Sequence, residues 1–522
     1  MAQIIAGGTK PNSGGNVEVI TQTQTTTWAQ LQGKPYIAVS SKGIFNGLST
    51  IPNDGADFGP DTTLGATAPG QYGSPYTKTT GIQDAQNYCS DGGHIVLGNG
   101  DFYIYDTVTI SNDNIVISGA GLQGYEAGEL SAESGTRIVL GDNVNKNMIN
   151  VTGSRYIFEN FVINGNSPNN TTTGLYGIYA GTSNLGMDLH LRTVYVIQVN
   201  GIGVYSNSGF YTETLITEGN SSWGLYLDGQ GGWLVDGYLS YADIGGAYLG
   251  CNGVTISNIT ISGGAGVAST LPAIEVAGNN NNITNLNIIR NTTSSAPPSP
   301  LIVSGGFNNI SGIYLNYSGS NMTTVPPNIT VSGPVNLISG IYTENTYSSA
   351  FISMSGGYNK ISNIAAHVDN NTSVIVDTSN YNVFSDMYLF GPPTGTAFSL
   401  PSTDVIKNII MINASTNAII PLVPTLSANP PVSGTVYQNT NPYDIRLKIP
   451  VTYSPTSTAA ATLATGISST STVTTSTKVS IPAGLTAADG EILTYEMVVP
   501  AGWYYELVAT NATIGTVEVQ AA

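Results

Sequence analysis

The stretch Val254-Thr-Ile-Ser-Asn-Ile-Thr-Ile261 shows most clearly the unit that this chain repeats, because it joins two short alternating runs through a polar pair. Its centre, Ile256-Ser-Asn-Ile259, is one of eleven phrases of the form apolar, polar, small or turn-forming, apolar, whose first residues lie 21 to 33 positions apart. A repeat mostly in the twenties predicts a solenoid with one coil per repeat. The other ten phrases are Phe158-Glu-Asn-Phe161, Leu191-Arg-Thr-Val194, Thr212-Glu-Thr-Leu215, Val235-Asp-Gly-Tyr238, Ile283-Thr-Asn-Leu286, Ile310-Ser-Gly-Ile313, Ile338-Ser-Gly-Ile341, Ile361-Ser-Asn-Ile364, Phe384-Ser-Asp-Met387 and Ile406-Lys-Asn-Ile409. One of these phrases begins with the weakly apolar Thr212.

Each coil is predicted to contain short strands separated by a turn and a bend. A second apolar run precedes most phrases, as in Gly201-Ile-Gly-Val-Tyr205 and Leu301-Ile-Val-Ser304. Alternating apolar and polar residues indicate strands with one buried face. Asn or Gly at the third phrase position suits a bend, because these residues tolerate left-handed backbone conformations. We therefore predict an all-β, right-handed parallel β-helix with a ladder of bend residues that includes Asn258, Asn285, Asn363 and Asn408.

Other solenoids fit the repeats less well. A leucine-rich horseshoe requires regularly spaced Leu, whereas Ile, Val and Tyr dominate these phrases. A helical solenoid requires helical periodicity, which the phrases lack.

The composition limits the partners. Only 9% of the 522 residues are charged and the formal net charge is -18, which argues against nucleic acid and anionic membranes. Uncharged sugars or a protein surface suit this chain better. Cys89 and Cys251 lie too far apart in the predicted fold to share a disulfide, and no cofactor or metal site is expected from the spacing of the three histidines.

Four segments are predicted. Residues 1–50 form an arm without repeats, and residues 51–420 form a capped parallel β-helix. Residues 421–433 form a proline-containing linker, with Pro424, Pro430 and Pro431. Residues 434–522 alternate as an antiparallel β-sandwich does.

The start of the second segment resembles a known family. Its pattern runs Asn53-Asp-Gly-Ala-Asp57, Gly81-Ile-Gln-Asp-Ala-Gln86, Gly92-Gly-His-Ile-Val-Leu97, Gly100-Asp-Phe-Tyr-Ile104 and Ile115-Val-Ile-Ser-Gly-Ala-Gly121. This order resembles the opening of the pectate-lyase superfamily domain of viral tailspikes and carbohydrate-active β-helix proteins. The resemblance implies a single-stranded, pectin-lyase-like right-handed β-helix. Residues Thr79 to Cys89 are expected to form an amphipathic helix that covers its open end.

The C-terminal segment carries a second resemblance. Gly434-Thr-Val-Tyr-Gln-Asn-Thr-Asn-Pro442 and Val499-Pro-Ala-Gly-Trp-Tyr-Tyr505 look like the C-terminal domain of many viral fibres and spikes. That resemblance implies a homotrimer, or a cap on the shaft. The residues alone show an aromatic-rich β domain, in which Trp503, Tyr504 and Tyr505 are either a receptor site or a buried trimer seam.

The best candidate for chemistry lies between residues 213 and 243. The second phrase position is expected to point outward, which would place Glu213 and Asp236 on adjacent coils roughly 5 Å apart, as a catalytic acid and nucleophile pair requires. Trp and Tyr faces stack on sugar rings, and carboxylates accept hydrogen bonds from sugar hydroxyls. The predicted carbohydrate-binding residues are Glu218, Trp223, Asp228, Trp233, Tyr241 and Asp243.

These observations favour a viral spike or tail-fibre protein that attaches to a host-surface glycan or glycoprotein. We expect a virion-surface protein synthesised in the host cytoplasm, because Met1 to Ala6 lacks the features of a signal peptide, and we expect no membrane span. Its arm would bind other virion proteins. The alternative is a virion-borne glycan depolymerase, although the catalytic motifs of related polygalacturonases are absent. Whether the protein is an enzyme stays open, and a cellular adhesin or layer protein is the third interpretation.

Overall fold

The structure is a computed structural model that forms two compact units, Met1–Pro326 and Pro327–Ala522, each considered by itself. It describes residues 9–11, 17–19, 36–41, 56–122, 135–181, 188–240, 245–263, 270–292, 298–319, 326–345, 349–368, 371, 373–391, 398–401, 403–412, 419–420, 431, 433–438, 445–453, 461–481, 492–500 and 503–521.

Unit 1 contains one α-helix, α1 (Ile82–Tyr88), and a 3-10 turn, Ser167–Asn169, among its described residues. Its strands are β1 (Thr9–Pro11), β2 (Val17–Val19), β3 (Ile37–Val39), β4 (His94–Leu97), β5 (Gly100–Ile104), β6 (Val108–Ile110), β7 (Val116–Ser118), β8 (Thr136–Leu140), β9 (Ile149–Val151), β10 (Tyr156–Asn164), β11 (Leu175–Ala180), β12 (Asp188–Ile197), β13 (Gly201–Ser206), β14 (Gly209–Glu218), β15 (Trp223–Leu227), β16 (Gln230–Ser240), β17 (Gly245–Leu249), β18 (Asn252–Gly263), β19 (Ile274–Val276), β20 (Asn282–Thr292), β21 (Leu301–Val303) and β22 (Asn309–Gly319).

The strands of unit 2 are β23 (Ile329–Val331), β24 (Leu337–Asn345), β25 (Ala350–Met354), β26 (Lys360–His367), β27 (Ser373–Asp377), β28 (Val383–Phe390), β29 (Phe398–Ser399), β30 (Val405–Ile412), β31 (Ile419–Ile420), β32 (Thr435–Gln438), β33 (Ile445–Tyr453), β34 (Ala461–Ser468), β35 (Ser476–Ile481), β36 (Ile492–Val499), β37 (Tyr504–Thr510), β38 (Ala512–Ile514) and β39 (Glu518–Ala521).

The predicted right-handed parallel β-helix is confirmed, and both units contain its coils. The phrases lie on alternate strands, β10 to β22 in unit 1 and β24 to β30 in unit 2, and neighbouring coils pair in parallel. We call the sheet they form the phrase sheet. The second apolar runs form a second parallel sheet with one strand from each successive coil, β6, β9 and the odd-numbered strands β11 to β21 in unit 1 and β23 to β29 in unit 2. Between the sheets lies a core of stacked Ile, Val, Leu and Phe side chains.

The bend within each phrase is left-handed, as predicted. In every phrase one residue has a φ between 52° and 66°. Asn285 donates its side-chain amide to Asn258 Oδ1 at 3.0 Å, and Asn258 donates to Asp236 Oδ1 at 3.0 Å. In unit 2, Asn408 donates to Asp386 Oδ1 at 2.9 Å. The exposed bend ladder therefore contains carboxylates as well as amides.

A second asparagine ladder is buried where each coil enters its phrase strand. Asn336, Asn359 and Asn382 are each at most 1% exposed. The backbone amide of Asn336 donates to Asn359 Oδ1 at 2.6 Å, and that of Asn359 donates to Asn382 Oδ1 at 2.7 Å. Asn281 and Asn308 repeat this contact in unit 1 at 2.9 Å. The buried ladder satisfies turn backbone groups that water cannot reach.

The predicted cap helix is present, and it is shorter than the sequence suggested. Ile82 and Ala85 of α1 are at most 1% exposed. The Gln83 side chain pairs with the backbone of Thr109 on β6, the terminal strand of the second sheet, accepting from its N–H at 2.6 Å and donating to its C=O at 3.1 Å. The helix therefore closes a sheet edge.

The N-terminal segment is not entirely separate from the solenoid. Strand β3 belongs to the predicted arm, yet it pairs in parallel with β4 in the register Ile37 to Ile95. Strands β1 and β2 form an antiparallel pair. The predicted boundaries near residues 50, 420 and 433 stay predictions, because residues 42–55 and 421–430 lie outside the described ranges.

The predicted C-terminal β-sandwich is confirmed. One antiparallel sheet has the order β32-β37-β34-β35, and β33 pairs with β36, β38 and β39 in the other. Leu447, Leu463 and Tyr505 are fully buried in their shared core. Within the described ranges, no helix combines the length and apolar character needed to cross a membrane.

Candidate functional site

The register of β14 and β16 corrects one feature of the predicted catalytic pair. Glu213 faces outward on β14, but its partner in the next coil is Val235. Asp236 has a φ of 55° and lies in the bend. The phrase of this coil is therefore Leu234-Val-Asp-Gly237, one residue earlier than the sequence pattern indicated. The predicted arrangement of the two carboxylates in one column is wrong.

Three rings lie in one outward row across β12, β14 and β16. His190, Tyr211 and Trp233 are in register on successive coils and alternate with buried residues such as Leu191 and Phe210. The His190 and Tyr211 ring centroids are 4.6 Å apart and nearly parallel, and those of Tyr211 and Trp233 are 5.6 Å apart and nearly perpendicular. The row presents half-buried aromatic surface to solvent.

Charged side chains lie in the next outward column of the same strands. Arg192 is in register with Glu159 on the preceding coil and with Glu213 on the following coil. Arg192 and Glu213 are exposed. Burial lowers the pKa of His190, and the positive charge of Arg192 lowers it further against the opposing effects of Asp188 and Glu213. The imidazole is therefore neutral near pH 7 and can donate or accept a hydrogen bond.

We call His190, Arg192, Tyr211, Glu213 and Trp233 the aromatic–acidic face. It brings together sugar-stacking rings, a carboxylate and a guanidinium within three coils. Two of the predicted site residues, Glu213 and Trp233, belong to it.

A third predicted residue lies on the other side of the bend. Glu218 is at the end of β14, in register with Ile197 of β12. Burial, and then the charge of Glu218, raises the pKa of the Tyr195 phenol, so the carboxylate lies near that ring. Glu218 therefore borders the aromatic–acidic face without being part of it.

Two other predicted residues lie on the second sheet. Trp223 is 6% exposed, because its ring packs over Gly245, where an added Cβ would lie 2.7 Å from it, and lies 5.7 Å from the ring centroid of Tyr248. The prediction that Trp223 contacts sugar is therefore wrong. Asp228 follows β15 and is exposed. Tyr241 and Asp243 lie outside the described residues.

The second sheet carries a row of tyrosines that the sequence analysis missed. Tyr179, Tyr205, Tyr226 and Tyr248 are in register on β11, β13, β15 and β17, with successive ring centroids 5.2, 5.4 and 4.3 Å apart. Burial raises the pKa of Tyr226 to about 12, with further contributions from Tyr248 and Asp228, so the phenol stays neutral. A Gly-x-Tyr pattern in each of the four strands is the sequence signal.

The three C-terminal aromatic residues Trp503, Tyr504 and Tyr505 differ in how far their side chains are buried. Tyr505 is fully buried and stacks on Tyr437, with ring centroids 5.7 Å apart. It therefore cannot contact a receptor in this fold. Trp503 is 38% exposed and Tyr504 is half-buried, so both can be reached from solvent.

Metal chemistry receives no support from the described residues. No group of three or more His, Cys, Asp or Glu side chains among them is arranged to hold a metal ion. The face offers hydrogen bonding, ring stacking and proton transfer.

Comparison with known proteins finds solved structures at low sequence identity. No protein-family model matches this chain, and no curated protein sequence matches it. The A-module of mannuronan C-5 epimerase AlgE4 from Azotobacter vinelandii is 12% identical with a TM-score of 0.39, and the match covers 60% of this chain and 91% of that one. ORF18 of Geobacillus virus E2 is 16% identical with a TM-score of 0.38, covering 83% and 72%. The enzymatically active domain of tailspike protein 2 from bacteriophage CBA120 is 13% identical with a TM-score of 0.38, covering 86% and 74%. The register of its own strands makes this chain a right-handed parallel β-helix protein.

Proposed function

We propose that this protein is a viral spike or tail-fibre protein that binds host-surface glycans through the aromatic–acidic face. The observation that carries the proposal is the outward row of His190, Tyr211 and Trp233 beside Arg192 and Glu213. Aromatic rings bind the apolar faces of sugars, while carboxylate and guanidinium groups bind their hydroxyls. Successive coils repeat such contacts at roughly 4.8 Å, which suits an extended chain of sugar units.

The particle context is part of the same proposal. The protein would be a homotrimer on the virion surface, attached to other virion proteins through residues 1–50. The C-terminal sandwich would promote trimer assembly or form the tip. Light scattering of the full chain tests the oligomeric state: three times the monomer mass of 54.2 kDa is expected, and a strict monomer contradicts the trimer.

The binding test is size-exclusion chromatography of host-surface polysaccharide with the full chain and with Trp233→Ala. Co-elution of unshortened glycan with the wild type, and its loss in the variant, are expected. Trp503→Ala is the matched control, because Trp503 is the exposed tryptophan of the C-terminal domain. Loss of binding in Trp503→Ala alone would move the receptor site to that domain and contradict the proposal.

Glycan cleavage is the second candidate function. The observation that favours it is the neutral His190 near Glu213, whose charge acts on that imidazole. A neutral imidazole and a carboxylate can divide the roles of base and acid in hydrolysis or elimination. In this hypothesis Asp236, which lies in the bend, is the second carboxylate. Glu213→Gln and Asp236→Asn should each reduce release of shortened chains while co-elution persists, and unchanged release would exclude these residues.

A further inference from the structure

A groove on the phrase sheet of unit 2 has the properties of a separate binding site. Its volume is about 610 Å³, within the range of pockets that hold small molecules. Three successive strands, β26, β28 and β30, supply its walls. From each strand come one bend residue and one outward residue past the bend, which are Asn363 and Ala365, Asp386 and Tyr388, and Asn408 and Ile410.

Ala365 opens a slot between two tyrosines. Tyr342, Ala365 and Tyr388 are in register on consecutive coils, and the two tyrosines are 47% and 49% exposed. Because coils are spaced at roughly 4.8 Å, positions two coils apart are separated by roughly 9.6 Å. Stacked rings need a centroid separation of about 4.5 Å or more. A six-membered ring therefore fits above Ala365 against Tyr388, which lines the groove, while Tyr342 lies one coil beyond the lining.

The bend ladder supplies the polar side of the groove. Asn408 donates to Asp386 Oδ1 at 2.9 Å. Hydrogen bonds from Asn408 and Ser385 lower the pKa of Asp386, and the charge of Lys360 acts in the same direction. The carboxylate is therefore ionised at neutral pH. A carboxylate between two amides offers the acceptors and donors that bind adjacent hydroxyls.

The charge of the groove restricts the ligand. Among the described residues that line it, Asp386 is the only one with a charge. Lys360 acts on the pKa of Asp386 through its charge, and Lys407 precedes the lining residue Asn408 in the sequence. Neither lysine lines the groove. A sugar acid would place its carboxylate close to that of Asp386, where like charges repel. A neutral sugar has no such penalty.

We propose that this groove is a subsite for one neutral pyranose ring, which stacks against Tyr388 above Ala365 and donates its hydroxyls to Asp386. The subsite lies in unit 2 and uses no residue of the aromatic–acidic face. It therefore goes beyond the function proposed above, and it can hold if that function fails.

Ligand-observed saturation-transfer NMR on the full chain tests the proposal. The probes are methyl glycosides of glucose, galactose, mannose, N-acetylglucosamine, N-acetylgalactosamine, rhamnose and fucose, with methyl glucuronide and methyl galacturonide as the acidic counterparts. At least one neutral glycoside should receive saturation, and Ala365→Tyr, which fills the slot, should abolish the transfer. Ser353→Tyr is the matched control, because Ser353 is an outward residue of the second sheet in the same unit.

Two more variants keep the test independent of how Ala365→Tyr folds. Tyr388→Ala should weaken binding of that glycoside about tenfold, the loss of one ring contact. Asp386→Asn should raise binding of the acidic counterpart relative to the neutral one. Three outcomes overturn the proposal: no neutral glycoside receives saturation, transfer survives both Ala365→Tyr and Tyr388→Ala, or the acidic glycosides bind the wild type better.

Discussion

The carboxylates of Asp377 and Asp404 are connected through one asparagine: Asn382 donates its side-chain amide to Asp377 Oδ2 at 2.6 Å and its backbone amide to Asp404 Oδ1 at 3.0 Å. Asp404 occupies the place in the buried ladder that asparagine holds on the preceding coils. It is 1% exposed, and its carboxyl shares a side-chain hydrogen bond with that of Asp377, which requires one of the two groups to hold a proton. Burial, and then the neighbouring Asp377, raises the pKa of Asp404 to about 7.

This carboxyl makes stability depend on pH. The folded-state pKa of about 7 lies above the unfolded value, which is about 3.9 for aspartate, so the folded protein binds the extra proton between these values. The contribution to stability is complete below pH ~4 and is lost as the pH rises towards 7. Asp404→Asn should remove this dependence and stabilise the protein at pH 8 by about 1 kcal/mol. Thermal unfolding at pH 4, 6 and 8 measures both effects.

The control is Asp386→Asn, because the pKa of the exposed Asp386 is lowered rather than raised. Its removal should not stabilise the protein at pH 8. If Asp404→Asn and the wild type show the same change in melting temperature between pH 4 and 8, the buried carboxyl does not control the pH response.

The repeats were predictable because both of their signals are local. Alternation around Ile256 and Ile259 shows which side chains face the core, and Asn258 between them indicates the bend. Each signal recurs in almost every coil, so no single coil decides the fold. The same logic failed at Asp236, because Gly237 occupies a core position without a side chain. Val235 and Tyr238 then match the pattern one residue too late.

The site was less predictable, because it depends on the register between coils of unequal length. The row of His190, Tyr211 and Trp233 exists only through strand pairing. Alternation alone also leaves open which set of side chains faces the core. Trp223 was expected at a sugar site, although the absence of a side chain at Gly245 lets its ring pack onto the sheet beside Tyr248, where it is buried.

The left-handed bend gives a prediction at Asn285, whose φ is 55°. Asn285→Ala and Asn285→Gly both lose the hydrogen bond to Asn258, but only alanine has a Cβ that opposes this conformation. The alanine variant should be less stable than the glycine variant by roughly 1–2 kcal/mol. Chemical denaturation of the two variants provides the comparison. Equal stability would mean that the bend relaxes in the variant.

The buried ladder predicts a larger loss at Asn359. Its Oδ1 accepts from Asn336 N–H at 2.6 Å, and its Nδ2 donates to Gly356 C=O at 2.6 Å. Asn359→Ala leaves the buried Asn336 N–H without this acceptor, which costs about 1–3 kcal/mol, whereas the Gly356 C=O still accepts from Ser379 Oγ at 2.9 Å. Asn380→Ala is the control, because its exposed side chain bonds Thr403 at the surface and should cost less than about 1 kcal/mol. Similar losses in the two variants would show that the buried ladder does not stabilise the coil.

The cap gives a prediction that separates edge protection from simple packing. Gln83→Ala removes the acceptor and the donor that Gln83 presents to Thr109, so the edge strand β6 loses both contacts. We expect a loss of roughly 1–2 kcal/mol and increased self-association, since an open edge pairs with other strands. Gln83→Glu keeps the acceptor for the Thr109 N–H and should lie between the wild type and Gln83→Ala in both properties. Thermal unfolding measures stability, and light scattering measures association. If both variants lose stability without associating, Gln83 packs against the sheet but does not protect its edge.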